Sequence, residues 1–400
     1  MKGPAELIRS TELSNYKNVG PIFEWEEGKT YLIVDHVEVQ GVPGAILCYS
    51  NPPVHQVGNP GLDAYLEGLE RAGEKGGLRF LILYGPNDPV HAGGDLKESL
   101  TRLDRTMEIK KEKEAAGAPP EELDQLYDWA DGRLEKGIAL HGKVRDLAAD
   151  LRVVAVCGGG MRFGGSAEIA LMADYIVGDS RSGMCFSEAM IGLVPGWSGV
   201  ARALVKAGPL NTSYMAKISR EVKAGDLLET GIYNSVVEVA LPFPRKEKVG
   251  DPEEDKRRYQ DALREHDRAA GLLLLPEGLR IAVCPHEEIP GVRGDERAVL
   301  AREEDIREEA LRRGNPETYS ELFGRPLAEV RDRIRELGRP LAPQSVEALD
   351  RLLKEYSASS FDERGFVRRE ADADALLYRD PRLRAGLVAT LGQTVADYRG

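Results

Sequence analysis

The sequence predicts an α/β fold built on a parallel β-sheet. Two short apolar runs that are typical of buried strands, LRFLILYG and RVVAVCG, each precede a loop rich in glycine or proline and then a helical pattern. This strand–loop–helix rhythm favours parallel α/β architecture. The chain has 400 residues, of which 42% are apolar, so it can bury a sizeable core.

The remaining elements follow from local patterns. Two strands joined by a turn at 41–44 are predicted within 31–50, and apolar residues three and four apart predict a helix in LDAYLEGLERA. A helical pattern runs from Leu96 to Asp150, and its charged, Pro-Pro-containing part predicts a solvated helical insertion at about 104–131. GGMRFGGS is predicted to be a turn, and AEIALMADYIV a helix or a helix followed by a strand.

Composition divides the chain into three parts. We expect a core over 1–240, a charged helical insertion over 241–340 and a C-terminal helical region over 341–400. The charged stretch 245–340 is expected to form solvated helices that cover a neighbouring subunit. SVEALDRLLKEY and PRLRAGLVATLGQTVADY in the last part each have the apolar spacing of a packed helix.

Charge and cysteine usage exclude several classes of protein. A net charge of −13 argues against a nucleic-acid partner held by a broad basic surface. Neither an apolar leader nor a run of 18 apolar residues is found, so we expect no membrane partner. The cysteines are far apart and form no C-x-x-C motif, which predicts neither disulfides nor a metal site and fits the cytoplasm. They are Cys48, Cys157, Cys185 and Cys284.

Two glycine-rich loops follow predicted buried strands. The first is His91–Leu96, and the second is Gly159–Glu168. Glycine lets a backbone approach a ligand closely, and the amides that open a helix carry partial positive charge. Two such loops on neighbouring strands can direct two N–H groups at one carbonyl oxygen, which is an oxyanion hole. Glu168 and Glu188 are the candidate acid and base, although spacing alone does not show that they converge.

Four ordered motifs within about 30–240 resemble the crotonase (enoyl-CoA hydratase/isomerase) superfamily. HAGGD resembles the AGAD-type loop, and GGSAE resembles the GGG-x-E loop. SEAMIGLVPG resembles the P-E-x-x-x-G-x-x-P-G segment, and AGDLLETGIYNSVV resembles the A-x-x-G-L-V segment. The resemblance implies a crotonase-like ββα spiral core, here with an enlarged helical C-terminal region.

The resemblance also implies an enzyme, an acyl-CoA hydratase (lyase). By motif position, Ala92 and Gly165 match the oxyanion-hole amides, and Glu168 and Glu188 match the glutamates that position water and move protons. Coenzyme A arrives as part of the acyl-CoA substrate, no other cofactor is implied, and the assembly is a homotrimer or a dimer of trimers. The substrate-binding positions implied are His55, Val57, Gly93, Gly94, Asp95, Gly164 and Trp197.

Departures from the family pattern leave other functions open. Gly94 stands where alanine is commoner, Ser187 replaces a proline, and Trp197 lies in a stretch of small residues. The alternatives are an isomerase, a ring-opening C–C hydrolase of an alicyclic oxo-acyl-CoA, which GMRFGG also resembles, and a non-catalytic CoA-binding protein. A dinucleotide loop is a further reading of GGGMRFGG. We expect the side chain of His91 to leave the site rather than act as a base.

Overall fold

A computed structural model describes residues 3–248, 250–291 and 297–399. These residues form two compact units, which are described separately. The first unit contains the described residues of Met1–Gly93, Leu140–Met184 and Val222–Ala298. The second unit contains Gly94–Ala139, Cys185–Glu221 and the described residues of Val299–Gly400.

The helices and strands have the following bounds. In chain order the strands are β1 (Tyr16–Glu27), β2 (Thr30–Val39), β3 (Val42–Ser50), β4 (Phe80–Tyr84), β5 (Val90–His91), β6 (Arg152–Cys157), β7 (Met161–Phe163), β8 (Tyr175–Asp179), β9 (Gly183–Cys185), β10 (Val222–Lys223) and β11 (Ser235–Val237). The helices are α1 (Gly3–Ser10), α2 (Asn59–Lys75), α3 (Leu96–Ala115), α4 (Pro120–Asp124), α5 (Asp128–Leu147), α6 (Gly165–Leu171), α7 (Gly199–Lys217), α8 (Ala224–Glu229), α9 (Pro252–Val283), α10 (Glu303–Gly314), α11 (Pro316–Tyr319), α12 (Arg331–Leu337), α13 (Pro343–Lys354), α14 (Glu363–Tyr378) and α15 (Arg382–Leu391).

A seven-stranded sheet forms the core of the first unit. Its strand order is β1-β2-β3-β4-β6-β8-β11. The first three strands pair antiparallel, and every pairing from β3 to β11 is parallel. A smaller sheet has the order β10-β9-β7-β5, with β5 and β7 parallel. The predicted α/β class with a parallel sheet is therefore confirmed.

Helix α9 packs on the sheet of its own unit. Its second half buries Leu274, Leu275 and Ile281 in one apolar cluster with β4, β6 and β8. The expectation that the 245–340 stretch forms solvated helices over a neighbouring subunit is therefore wrong for this helix. The first half of α9, PEEDKRRYQDALRE, is mostly charged, and this composition predicted a solvated helix. The apolar spacing that drives packing begins only at Ala270.

The second unit is helical. Helix α7 contacts α10, α13 and α14, and α3 contacts α15. Two buried carboxylates of α14 hold the chain before and within α7: Glu370 accepts the amide of Ala201, and Asp374 accepts the amide of Val194 at 2.9 Å. Residues 104–131 are largely helical, in α3, α4 and the start of α5. That this stretch is an insertion stays a prediction.

Candidate functional site

The first glycine-rich loop follows β5 in the first unit. The N–H of Ala92 donates to the carbonyl of Val54 at 2.7 Å, and the N–H of Val57 donates to the carbonyl of Gly93 at 2.9 Å. These bonds join the loop to the 54–57 segment. Because the Ala92 amide is already used inside the protein, the assignment of Ala92 as an oxyanion-hole donor is corrected. Any donor from this loop lies after Ala92.

The second loop touches the first. Strand β7 ends at Phe163, Gly164 adopts a left-handed φ of 48°, and α6 begins at Gly165. A Cβ atom on Gly93 would lie 2.7 Å from the amide nitrogen of Gly165 and 2.7 Å from the carbonyl oxygen of Phe163. The two loops therefore pack backbone against backbone, and only glycine fits at position 93. The Gly165 amide belongs to the first turn of α6, whose N–H groups have no partner within the helix.

Glu168 lies one turn beyond Gly165 on the same helix. It is 3% exposed, and its own amide donates to the carbonyl of Gly164 at 3.0 Å. Residues three apart lie on one face of a helix, so the Glu168 side chain extends from the face of α6 that also contains Gly165. That the Gly165 amide and Glu168 act on one ligand stays a prediction.

Glu188 belongs to the second unit and opens a 3₁₀ turn. Its side chain is buried, and its backbone carbonyl accepts the amides of Ile191, Gly192 and Leu193 at 2.9, 3.0 and 3.0 Å. Three bonds to one carbonyl fix the backbone from which the carboxylate extends. That Glu168 and Glu188 act together stays a prediction.

Sequence reasoning missed Arg133, which lies in the second unit with Gly94 and Trp197. It is 3% exposed, donates to Ser99 Oγ at 3.1 Å, and lies 5.5 Å from the centre of the Trp197 ring. A Cβ atom on Gly94 would lie 2.4 Å from Arg133 Nη2. Gly94 thus replaces the commoner alanine because the guanidinium needs that space. The Trp197 ring packs on Gly137, where a Cβ atom would lie 2.1 Å away.

Asp95 caps helix α3 in the second unit. Its Oδ1 accepts the amides of Lys97 and Glu98, each at 3.0 Å, which is the usual role of aspartate at a helix N-cap. The carboxylate therefore anchors the segment that follows Gly94. That Asp95 contributes to substrate binding stays a prediction.

His55 is held in place by two hydrogen bonds. Its Nδ1 accepts the amide of Asn51 at 3.1 Å, and its Nε2 lies 2.5 Å from a carboxylate oxygen of Asp88. The ring is 4% exposed, and Val57 is 2% exposed. The ring of His91 stacks on His55 with its centre 5.1 Å away and is itself buried. The His91 side chain therefore points into the interior.

A large cavity opens beside His55 in the first unit. Its volume is about 770 Å³, and its lining includes Pro52, Pro53, Tyr259 and Leu263. Cations from the 246–264 segment and from Lys29 face it together with acidic side chains. The cations are Lys29, Lys246, Lys248, Lys256, Arg257 and Arg264. This cavity has the size and mixed lining of a site for a large organic ligand.

Two further observations concern partners. Within residues 3–248, 250–291 and 297–399, no three His, Cys, Asp or Glu side chains gather as metal ligands. In that same part of the chain, none of the helices combines the length and apolarity needed to cross a bilayer. Cys157 and Cys185 are buried, and all four cysteines are free thiols.

Comparison with known sequences identifies one segment of the chain. Residues 135–241 match the model of the enoyl-CoA hydratase/isomerase family. Carnitinyl-CoA dehydratase of Proteus mirabilis is 30% identical over 123 residues, which are 30% of this chain and 47% of that protein. The fatty acid oxidation complex subunit alpha of Idiomarina loihiensis is 29% identical over 152 residues, 36% of this chain and 21% of that protein. The chain thus spans between about a fifth and about half of the length of these relatives.

Solved structures show the same fold. A carnitinyl-CoA dehydratase from Mycobacterium thermoresistibile has a TM-score of 0.52 at 14% identity, over 88% of this chain and 87% of that chain. An enoyl-CoA hydratase from Rhodobacter sphaeroides has a TM-score of 0.50 at 16% identity, over 87% and 86%. The fold is therefore that of crotonase proteins, with an enlarged helical C-terminal region. The resemblance to the enoyl-CoA hydratase/isomerase superfamily is confirmed, and residues 135–241 carry its family segment.

Proposed function

We propose that this protein acts on acyl-CoA thioesters and adds water to an enoyl group. The observation that carries the proposal is the contact of the two loops, which leaves the Gly165 amide at the start of α6 one turn from the buried Glu168. Donors held there stabilise negative charge on a thioester oxygen, because the protein does not need to reorganise as the charge develops.

In the proposed reaction the thioester carbonyl accepts the Gly165 amide and an amide that follows Ala92. Glu168 and Glu188 orient one water molecule. One O–H bond of the water breaks as its oxygen bonds to Cβ and the π bond of the C=C group opens, and the released proton passes through the glutamates to Cα, so that one water is consumed for each enoyl group. Coenzyme A is carried by the substrate. The 770 Å³ cavity beside His55, with its lysines and arginines, is the proposed place for its phosphates.

Turnover of crotonyl-CoA tests the proposal directly. Gly165→Pro removes the amide donor at the first helical position, where proline fits a helix, and is expected to abolish turnover. Gly165→Ala keeps the amide and is the matched comparison. Circular dichroism establishes that both variants fold. Normal turnover by a folded Gly165→Pro protein contradicts the oxyanion-hole assignment.

A ring-opening hydrolase of an alicyclic oxo-acyl-CoA is the second candidate. The buried guanidinium of Arg133, which also lies 3.9 Å from a carboxylate oxygen of Glu98, supports it because this donor stands next to Gly94 and the Trp197 ring, two positions that the resemblance assigns to the substrate. An oxo group accepts a hydrogen bond from arginine. Assaying enoyl-CoA and cyclic oxo-acyl-CoA thioesters side by side separates the two reactions.

We also propose that the chain assembles as a homotrimer or a dimer of trimers. Apolar side chains of α14 and α15 support this: Leu376 is 69% exposed, and Val388 and Leu391 are 40% and 43% exposed. Exposed apolar side chains on neighbouring helices are typical of subunit interfaces. Sedimentation that shows only a 43.9 kDa species contradicts this assembly.

A further inference from the structure

A second, smaller cavity lies inside the first unit. Its volume is about 40 Å³, and its walls come from β3, β4, β6, α2 and α6. Most of the lining is apolar or aromatic, but His55, His91, Arg162 and Ser166 also face it. One water molecule needs roughly 10–15 Å³ of such volume, so the cavity has room for a few waters or one small ion.

The guanidinium of Arg162 is the exceptional group in this cavity. Arg162 projects from β7 and is 7% exposed. Its Nη1 donates weakly to Ser166 Oγ at 3.4 Å. Among the described residues no atom accepts a hydrogen bond from its Nε or Nη2. Burying a charged group without a counter-charge is costly, and buried arginines are normally paired.

The two Arg162 nitrogen atoms that lack an acceptor among the described residues determine which shape of ligand can bind. Nε and Nη2 form one edge of the planar guanidinium, and this edge donates two parallel hydrogen bonds to a planar oxyanion such as a carboxylate. A spherical anion uses such an edge less well. The geometry therefore selects a small planar oxyanion over a halide.

The histidines beside Arg162 complete the cavity. The Asp88 carboxylate accepts a hydrogen bond from His55 Nε2 at 2.5 Å, and no ion pair joins it to Arg162 in the described part of the chain. Burial, with the nearby Arg162 charge, lowers the pKa of His91 well below its usual range, so this ring is neutral. Its ring bonds to the backbone of Pro86 and Asp88, and its Nε2 has no partner among the described residues. Since the neutral ring donates its one N–H to the backbone, His91 Nε2 is an acceptor and supplies no counter-charge to Arg162.

We propose that the Arg162–His91 cavity binds a small planar oxyanion, of the carboxylate class and no larger than acetate. The oxyanion accepts hydrogen bonds from Arg162 Nε and Nη2. Since β7 leads directly into Gly164 and Gly165, the bound ion stiffens the base of the second glycine-rich loop. This inference does not depend on the proposed acyl-CoA chemistry.

Thermal unfolding of the full chain at constant ionic strength tests the proposal. Formate is the probe, and gluconate, a carboxylate too large for the cavity, is the comparison salt. Formate at ten times its Kd is expected to raise Tm by about 1–3 °C in a saturable way. Arg162→Met, which keeps length but not charge, is expected to lose this rise.

Arg145→Met is the matched control, because Arg145 pairs with Asp174 at 2.8 Å outside the cavity. It is expected to keep the full formate effect. If Arg162→Met does not fold, crystals of the unaltered protein soaked in formate decide, with planar density expected on the Nε–Nη2 edge. Equal Tm shifts in formate and gluconate, or density for water alone, would overturn the proposal.

Discussion

The carboxylate of Asp267, in the middle of α9, accepts the backbone amide of Asn87 at 2.6 Å. The Asn87 side chain donates to the same carboxylate oxygen at 2.9 Å and to the Asp267 carbonyl at 3.0 Å. These bonds join α9 to the loop that follows β4. Asp267 also lines the 770 Å³ cavity beside His55. One buried carboxyl therefore links the helix after residue 250 to the loop that carries Asp88.

The charge of Asp267 predicts a pH-dependent stability. Burial raises the pKa of Asp267 from 3.8 to about 7, against the opposing effect of the Asn87 amide. The folded state holds this proton up to about pH 7, whereas the unfolded chain releases it near pH 4. Stability from this group is therefore full below pH 4 and falls as pH rises toward 7. The loss is about 4 kcal/mol, since the pKa rises by about three units and each unit corresponds to about 1.4 kcal/mol.

Asp267→Asn removes the charge and keeps the oxygen that accepts both Asn87 bonds. We expect the variant to be more stable than the unaltered protein at pH 8 and similar to it at pH 4.5, by urea unfolding. Asp261→Asn, on an exposed part of the same helix, is the control and should show no such difference. Parallel pH profiles for the unaltered protein and Asp267→Asn would exclude a raised pKa.

Elements with a strong local pattern were predictable from the sequence. Helix α2 and strands β4 and β6 follow from apolar spacing within a few residues. Strand β1 was missed because its side chains are mostly half-exposed or exposed, with register shifts near Gly20 and Pro21, and because it forms only by pairing with β2. Its existence depends on a partner rather than on its own pattern.

The candidate site was predictable as a set of motifs but not atom by atom. Which amide of HAGGD faces a ligand depends on the Val54 carbonyl, a partner that the motif does not contain. Arg133 and Arg162 were missed because arginine is normally exposed. Two features of the sequence could have indicated these buried arginines. One is the position of Arg162 within the glycine-rich GGGMRFGG, and the other is glycine instead of alanine at position 94. Each of these two features accompanies a buried guanidinium group.

The contact of the two loops predicts a severe effect of Gly93→Ala. The new Cβ would lie 2.7 Å from two backbone atoms that cannot rotate away, so the loops must separate. We expect kcat/KM for crotonyl-CoA to fall about 10²–10³-fold, since an oxyanion-hole donor is displaced. Gly142→Ala in α5, where a Cβ would meet nothing within 4 Å, is the control and should keep full activity. Unchanged kinetics for Gly93→Ala would show that the loop contact is not part of the site.

Gly94 and Arg133 are expected to be coupled. Gly94→Ala places a Cβ 2.4 Å from Arg133 Nη2 and forces the guanidinium away from Ser99 and Trp197. Arg133→Met removes the clash, so the double variant should be more stable than the sum of the two single effects predicts, by at least about 0.5 kcal/mol. Arg133→Met should also lower activity on cyclic oxo-acyl-CoA thioesters about tenfold more than on crotonyl-CoA. Strict additivity, with equal losses on both substrates, would leave Arg133 a purely structural residue.

The last prediction concerns Glu168 and Glu188, which the proposed reaction assigns to one water molecule. Glutamine keeps the shape of each side chain but cannot take up a proton as a carboxylate does. Each Glu→Gln variant is expected to lower kcat about 10²–10⁴-fold with little change in affinity for the CoA portion. Because the two groups act on one water, the double variant should resemble the worse single variant.

Solvent deuterium provides an independent readout of that prediction. Addition of water to an enoyl group in deuterated solvent incorporates one deuteron at Cα, and nuclear magnetic resonance of the product detects it. Glu363→Gln, on the second unit's α14, is a control away from the proposed chemistry and should retain turnover. Full activity of Glu188→Gln together with complete loss in Glu168→Gln contradicts the paired mechanism. A single-acid isomerase, or a hydrolase whose water is positioned by another residue, then explains the site better.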